Sequence, residues 1–206
     1  MTDPASIIPD QREGNHLDTS ASTTASSRKQ AMKLFDQARK RLLTINNWNL
    51  YAGMVSANFQ LTDREGKEIN RPASSHDYFR INIPGPGSIT GDGYDWVKVE
   101  SVKTISDAGP DMEIISMTVR PAPNPLHHDT TIAHFFDDAA TSTFMIQREG
   151  MTVTVSIHGR NEVPNASVDV LADRIRNSVV ALGAFLGFSK IQWDALAKGL
   201  LDDSLD

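Results

Sequence analysis

Apolar residues recur with a helical period near the start of the chain and with a strand period through its middle. Over residues 27–45 they follow spacings of four and three, typical of an amphipathic helix that Ser26 or Ser27 can cap. The stripe consists of Ala31, Phe35, Ala38, Leu42 and Ile45. The polar side is basic, with Arg28, Lys29, Lys33, Arg39, Lys40 and Arg41 against the acid Asp36. The sequence therefore predicts an N-terminal helix, which either packs on a sheet or binds an acidic partner or a membrane surface.

Strict alternation of apolar and polar residues then predicts a series of half-buried strands. The alternating segments are 55–61, 79–83, 97–105 and 115–119. Turn-forming sequences lie between some of them, as in 63–67 and 107–111. The clearest hairpin turns at Glu149–Gly150, which predicts that Phe144 lies opposite Val155 and Ile146 opposite Val153. A slip of one residue would mix the two faces of the hairpin, so the pattern specifies the faces strongly.

The two ends of the chain differ in composition from its middle. Residues 1–26 are rich in Ser, Thr, Ala, Asp and Pro, and they have too few large apolar residues to offset the entropy of ordering. We therefore expect a flexible tail over 1–26, dispensable for folding, and a single α+β domain over 27–206. Ser167 can cap a helix that stops at Gly187, and Ser189 can cap a second one.

The predicted fold class is α+β. It comprises an N-terminal helix, an antiparallel sheet of about six or seven strands, and two C-terminal helices packed on one face of that sheet. The patterning of the strands indicates that the other face of the sheet is wetter.

Composition and charge narrow the function classes. The 206 residues include no cysteine, which excludes disulfides and thiolate metal sites and suits a reducing compartment. The net charge of −6 argues against a general nucleic-acid binder, which needs a basic face. The first ten residues have no basic start and no apolar core of signal-peptide length, and no apolar run is long enough to span a bilayer. We expect an acidic, soluble, cytoplasmic protein.

A glycine-rich segment, RINIPGPGSITGDGYDWVKVE, covers Arg80–Glu100. Both of its flanks alternate like strands, whereas a phosphate-binding loop requires a helix after it. Pro84 and Pro86 also remove amide donors that a phosphate would use. The segment is therefore interpreted as a strand-to-strand connection that binds no nucleotide. Tyr94 and Trp96 at its end either form one wall of a pocket or an interface, or pack in the core.

Histidines and acids cluster in the segment PLHHDTTIAHFFDD, which contains His127, His128, Asp129 and His134. Imidazole and carboxylate groups suit zinc, iron or manganese. Neighbouring residues on a strand point to opposite faces, however, so these side chains would not converge. The sequence predicts no metal site and no cofactor.

The segment IHGRNEVPN ends the hairpin strand. If the strand continues this far, His158, Arg160 and Glu162 share a face with Thr154 and Ser156. A His–Glu pair there would serve acid–base chemistry, and the arginine would hold a carboxylate or phosphate. The alternative is an ion pair between the arginine and the glutamate that closes the sheet.

No catalytic signature is present: there is no cysteine nucleophile and no Gly-x-Ser-x-Gly elbow. The predicted function is that of a non-enzymatic binding or assembly protein acting through protein–protein contacts, with a protein partner or self-association. The alternative is a small enzyme or ligand-binding protein that takes a small molecule into a His/acid pocket on the open sheet face. The candidate binding residues are Tyr94, Trp96, His134, His158, Arg160 and Glu162.

Overall fold

An antiparallel sheet forms the frame of the protein in the computed structural model, which describes residues 4–53, 57–82, 91–109, 111–165, 187 and 189–205. Within these residues the sheet has seven strands in the order β1-β7-β6-β5-β4-β3-β2. Their bounds are β1 Asn15–Thr24, β2 Asn58–Thr62, β3 Tyr78–Asn82, β4 Asp95–Gly109, β5 Met112–Pro121, β6 Thr141–Glu149 and β7 Thr152–Glu162. All neighbouring pairs are antiparallel, so the predicted α+β class and the antiparallel sheet are confirmed.

The helices of the described residues are α1 (Arg28–Leu43), α2 (Trp48–Ala52) and α3 (residues 189–200). Helix α1 begins where the sequence predicted, because Ser27 caps it by accepting a hydrogen bond from the N–H of Gln30 at 3.3 Å. The predicted apolar stripe of α1 is buried along its whole length. The second predicted C-terminal helix is confirmed as α3. Gly187 and Ser189 are themselves helical, however, so the predicted stop at Gly187 and cap at Ser189 are wrong. The first predicted helix lies almost entirely in residues 166–186, outside the described residues.

Aromatic side chains fill the core between the sheet and the helices. Trp48 is fully buried, and its ring centroid lies 5.2 Å from that of Phe59, 4.9 Å from Phe144 and 6.2 Å from Trp193. Its indole N–H donates to the carbonyl of Leu42 at 3.0 Å, so the one polar atom of the ring is satisfied. This cluster ties α2, α3 and the inner face of the sheet together.

Strand β1 lies inside the segment that the sequence assigned to a flexible tail. It pairs with β7 from Asn15↔Glu162 to Thr24↔Thr152, so that assignment is wrong for β1. Its side chains are mostly small, polar and exposed, so apolar burial contributes little to holding it. Backbone hydrogen bonds to β7 hold it instead, and composition carries no signal for them.

The hairpin between β6 and β7 has the predicted faces but a different register. Phe144 lies opposite Ile157 and not Val155, and the turn is at Gly150–Met151, where Gly150 has a φ of 58°. The register therefore differs by two residues from the predicted one. Since side chains alternate with a period of two, an even shift keeps every apolar side chain on its face.

Arg41 was assigned to the solvated side of α1, and the structure corrects this. Arg41 is only 3% exposed. Its Nη1 donates to the carbonyls of Gly199 at 3.2 Å, Leu200 at 3.3 Å and Asp202 at 2.8 Å. The last carbonyls of a helix lack partners within the helix, and a guanidinium can satisfy several of them at once. Arg41 thereby fixes the end of α3 against α1.

No helix within the described part of the chain is both long enough and apolar enough to cross a bilayer.

Candidate functional site

A cavity of about 40 Å³ lies on the inner face of the sheet, where α3 and residues 134–140 cover it. A water needs roughly 10–15 Å³ measured in this way, so there is room for about three waters or a group of a few heavy atoms. The walls include the rings of Phe79, Phe136, Phe144 and Trp193. The polar and charged residues that line the cavity are Arg120, His134, Thr141, Ser142 and Glu162.

Glu162 supplies the unusual group of this cavity. The residue is 6% exposed, and within the described residues its Oε2 has no hydrogen-bond partner. Burial raises the pKa of Glu162 from 4.5 to about 7, and the nearby charge of Arg160 only partly opposes this. At neutral pH the carboxyl is therefore divided between a form that accepts hydrogen bonds and a form that donates one.

An irregularity in β7 turns Glu162 into the cavity. Leu17 pairs with Gly159 and Asn15 with Glu162, so two steps along β1 correspond to three along β7. The extra residue is a β-bulge, at which Asn161 has a φ of 55°. Strict alternation would place Glu162 on the face of His158 and Arg160. The bulge reverses the alternation and brings the carboxyl to the inner face.

Gly159 leaves room for this carboxyl. A Cβ on Gly159 would clash with Oε1 of Glu162, so the carboxyl would have to move, and it would lie 3.3 Å from Cβ of Leu17. The side chain of Glu162 therefore lies over the bare backbone of Gly159. Ser142 is opposite Gly159 in the pairing of β6 with β7, and it also lines the cavity.

The segment before β1 holds the bulge in place. Oδ1 of Asn161 accepts from the N–H of Arg12 at 2.7 Å and of Glu13 at 3.2 Å. The N–H of Asn161 donates to Oε1 of Gln11 at 3.0 Å. Residues 11–13 thus bind the residue whose left-handed conformation aims Glu162, and this segment, too, was predicted to be part of a tail.

His134 lies in the loop between β5 and β6, where it is mostly but not fully buried beside Asp95. Its Nδ1 accepts from the N–H of Phe136 at 2.9 Å, while Nε2 lies 4.0 Å from Oδ2 of Asp95. Burial lowers the pKa of His134 and raises the pKa of Asp95. The charge of each residue acts on the pKa of the other in the opposite direction, but burial has the larger effect. A neutral imidazole that accepts at Nδ1 carries its proton on Nε2. His134 therefore serves as a neutral donor near Asp95.

Two other polar groups of the cavity differ in whether they are already paired. Oγ1 of Thr141 is buried and has no hydrogen-bond partner among the described residues. Arg120, by contrast, donates to Glu100 from Nε at 2.8 Å and from Nη2 at 3.3 Å, and from Nη1 to the carbonyl of Asp138. Thr141 lies opposite Arg160 in the pairing of β6 with β7, so its side chain is on the other face of the sheet. The carboxyl of Glu162 is therefore the buried group that a molecule in the cavity would satisfy.

His158 and Arg160 lie on the other face of the sheet, where both bind Asp18. Nδ1 of His158 lies 2.6 Å from Oδ1 of Asp18, and Nη1 of Arg160 lies 2.9 Å from the same oxygen. These contacts lower the pKa of Asp18 against the opposing effect of burial. The prediction that His158, Arg160 and Glu162 share a face is therefore wrong for Glu162, because of the bulge at Asn161.

His158 also contacts a serine, which gives a Ser–His–Asp connectivity on that face. Its Nε2 lies 3.0 Å from Oγ of Ser156. An attacking hydroxyl has to reach a substrate carbonyl, and Ser156 is only 7% exposed. The three side chains link β1 to β7, since Asp18 lies directly opposite His158 in the pairing.

Tyr94 and Trp96 do not line the cavity. Trp96 is 1% exposed, and its Nε1 donates to the carbonyl of Gly91 at 3.2 Å, so it packs in the interior. The guanidinium of Arg80 lies 4.5 Å from the centre of the Tyr94 ring. The flanks of the glycine-rich segment are the antiparallel strands β3 and β4, as predicted, whereas residues 83–90 lie outside the described part of the chain.

The remaining histidines of the cluster do not join His134. Nε2 of His127 lies 2.7 Å from Oδ2 of Asp92 at the surface, with both side chains at least half exposed. The described residues contain no group of three or more His, Asp or Glu side chains arranged to hold a metal ion.

Asp95, Thr141 and Ser142 were not recognised as site residues from the sequence. Each occupies an ordinary strand position. Only the packing of the 134–140 segment and α3 above the sheet makes Thr141 and Ser142 line the cavity and brings Asp95 beside His134. Asn161 carried a weak signal, because asparagine is enriched several-fold among residues with left-handed φ.

No protein-family model matches this sequence, and no curated protein matches it. Solved structures resemble it at low identity. A hypothetical protein from Helicobacter pylori has 11% identity and a TM-score of 0.48, with 96% of this chain and 97% of that chain covered. The protein XoxI from Bacillus cereus has 16% identity and a TM-score of 0.39, covering 91% and 96%. A norcoclaurine synthase from Thalictrum flavum has 10% identity and a TM-score of 0.36, covering 92% and 87%. At these values the likeness says nothing about the ligand or activity of this chain.

Proposed function

We propose that this protein binds a small, largely apolar molecule in the cavity, and that a polar group of that molecule contacts Glu162. The observation that carries the proposal is a carboxylate oxygen of Glu162 that has no partner among the described residues, in a pocket with aromatic walls. A buried polar atom left without a partner costs about 1–3 kcal/mol. A ligand that satisfied it would recover part of that cost, and its apolar part would contact the rings.

The volume of the cavity limits the size of the bound group. Pockets for drug-sized ligands enclose roughly 300–1,000 Å³, far more than the approximately 40 Å³ here. The bound molecule is therefore either a compound of a few heavy atoms or a larger compound that inserts one end. At a ceiling of about 1.5 kcal/mol for each heavy atom, a four-atom ligand would bind with a Kd no tighter than about 40 μM.

This proposal develops the alternative function predicted from the sequence, with the pocket on the covered face of the sheet and not on the open one. The role in protein–protein contacts stays a prediction. The basic side of α1 is weaker support for it than expected, because Arg41 is buried and Arg39 pairs with Asp36 at 3.0 Å.

A fragment screen by NMR tests the proposal, with the indole N–H of Trp193 as the reporter inside the cavity. Ala140→Leu adds a side chain to a residue that lines the cavity and should abolish binding. Ala139→Leu is the matched control, since this partly exposed neighbour does not line the cavity. Fragments that shift Trp193 in the wild type and in Ala139→Leu, but not in Ala140→Leu, support the proposal. Fragments that bind all three proteins equally would refute it.

A further inference from the structure

We infer that the ligand presents a cationic nitrogen, a primary or secondary ammonium, to Glu162. This inference rests on the binding function proposed above and names the chemical class of the molecule. It follows from the charges around the cavity, the unpaired carboxylate oxygen within it and the composition of its walls.

The charges of the described residues around the cavity leave Glu162 without a counter-ion in it. Of the other ionisable residues that line the cavity, Arg120 already binds Glu100, and His134 is neutral beside Asp95. The charge of Arg160 acts on Glu162 from outside the cavity, but Arg160 points to the other face and binds Asp18. Within the described part of the chain, the cavity therefore contains an acid and no cation that is free to pair with it.

The unpaired oxygen of Glu162 suits an ammonium group. Oε2 of Glu162 accepts hydrogen bonds and has no partner among the described residues. An alkylammonium carries two or three N–H donors and no acceptor, so it would satisfy this oxygen. A hydrogen bond between an ammonium and a carboxylate is roughly twice as strong as one between neutral groups.

The walls favour a cation as well. Four aromatic rings line the cavity, and those of Phe144 and Trp193 lie 5.3 Å apart in an edge-to-face arrangement. The face of an aromatic ring attracts a cation within about 6 Å, most strongly for tryptophan and where water is excluded. Apolar walls alone would accept any small hydrocarbon group, whereas aromatic walls beside a lone acid favour an amine.

Three ligand classes predict different responses to pH. An amine needs the ionised form of Glu162, so its affinity should rise with pH. A carboxylic acid would meet a like charge unless Glu162 is protonated, so its affinity should fall. A neutral alcohol can donate to the ionised form or accept from the protonated form, so its affinity should change little.

The experiment is an NMR titration of the full chain with 1-propylamine, 1-propanol and propionate, which have similar size, at pH 6 and pH 8. Trp193 again reports on the cavity. We expect propylamine to bind best and its affinity to increase about tenfold from pH 6 to pH 8, because the ionised fraction of a carboxyl with a pKa of about 7 increases by that factor. Glu162→Gln should weaken propylamine binding at least tenfold and remove the pH dependence. Glu149→Gln, which changes an exposed glutamate at the end of β6, should leave it unchanged.

Other outcomes separate this inference from the proposed function. If propanol or propionate binds better than propylamine at pH 8, and Ala140→Leu abolishes that binding, the cavity binds a ligand but the inference about its charge is wrong. If propylamine binds Glu162→Gln as tightly as the wild type, the carboxyl is not its partner and the inference is also wrong. If no probe shifts Trp193 at either pH, both the inference and the proposed function fail.

Discussion

Replacing Glu162 by glutamine should stabilise the protein at alkaline pH and leave its stability at acidic pH nearly unchanged. Burial raises the pKa of the carboxyl above the value of 4.5 expected in the unfolded chain, to about 7. Between these two values the folded state holds a proton that the unfolded state has lost. The free energy of unfolding therefore falls as the pH rises through this range, and the loss is complete above the folded pKa.

The magnitude follows from the same pKa values. Each pKa unit corresponds to about 1.4 kcal/mol, so raising the pKa from 4.5 to about 7 corresponds to at most about 3 kcal/mol. Water that enters the cavity would screen part of this penalty, so we expect about 1–3 kcal/mol at pH 8. Glutamine has nearly the shape of the protonated carboxyl and does not ionise. The variant should therefore match the wild type near pH 4 and exceed its stability at pH 8.

Urea denaturation at several pH values from 4 to 8 measures this difference. Glu149→Gln is the control, because that exposed carboxyl lies at the hairpin turn. The reasoning would be refuted if the difference between Glu162→Gln and the wild type did not grow with pH. A variant that is less stable than the wild type at every pH would show that the carboxylate has a stabilising partner, contrary to its geometry.

The remaining predictions concern the surroundings of the site and the attachment of the N-terminal segment. A chain that starts at Ser26 lacks β1 and its nine register pairs with β7. At about 0.5 kcal/mol or more for each pair, its free energy of unfolding in urea denaturation should fall by about 4 kcal/mol. An unchanged urea midpoint would instead support the prediction of a flexible tail. Arg41→Met should lower the free energy of unfolding by about 2–3 kcal/mol through the lost carbonyl contacts, whereas exposed Lys40→Ala should change it by less than about 0.5 kcal/mol. Gly159→Ala should displace the Glu162 carboxyl, lower the free energy of unfolding by about 1 kcal/mol and weaken ligand binding in the NMR assay. If the variant binds the ligand as tightly as the wild type, the carboxyl does not need its present position.

Much of the fold could be predicted from the sequence because helices and strands each require a characteristic local spacing of apolar residues. The stripe through Ala31, Phe35 and Leu42 specifies one face of α1, and the structure buries that face. The alternation in β6 and β7 likewise specified the faces of the hairpin, even though its register differed by two residues. Such patterns are reliable because a side chain's direction follows from its position in a helix or strand.

The candidate site was only partly predictable. His134 and Glu162 were both proposed as site residues from the sequence, and both line the cavity. The features that bring them to the cavity, however, could not be predicted from the sequence. Strict alternation placed Glu162 with His158 and Arg160, and only the extra residue at the bulge moved it to the other face. The cluster of adjacent histidines drew attention to the surface residue His127, which pairs with Asp92.

The sequence by itself determined helix α1, the strands that alternate apolar with polar residues, and which of their faces are apolar. The tertiary structure decided where backbone hydrogen bonds recruit a polar strand, where a bulge reverses a face, and which buried acid has no partner for one of its oxygens among the described residues. Those outcomes depend on residues far apart in the chain, as when Gln11, Arg12 and Glu13 bind Asn161 and thereby fix the direction of Glu162. The period of a strand is a local property, whereas the pairing that breaks it is set by the neighbouring strand.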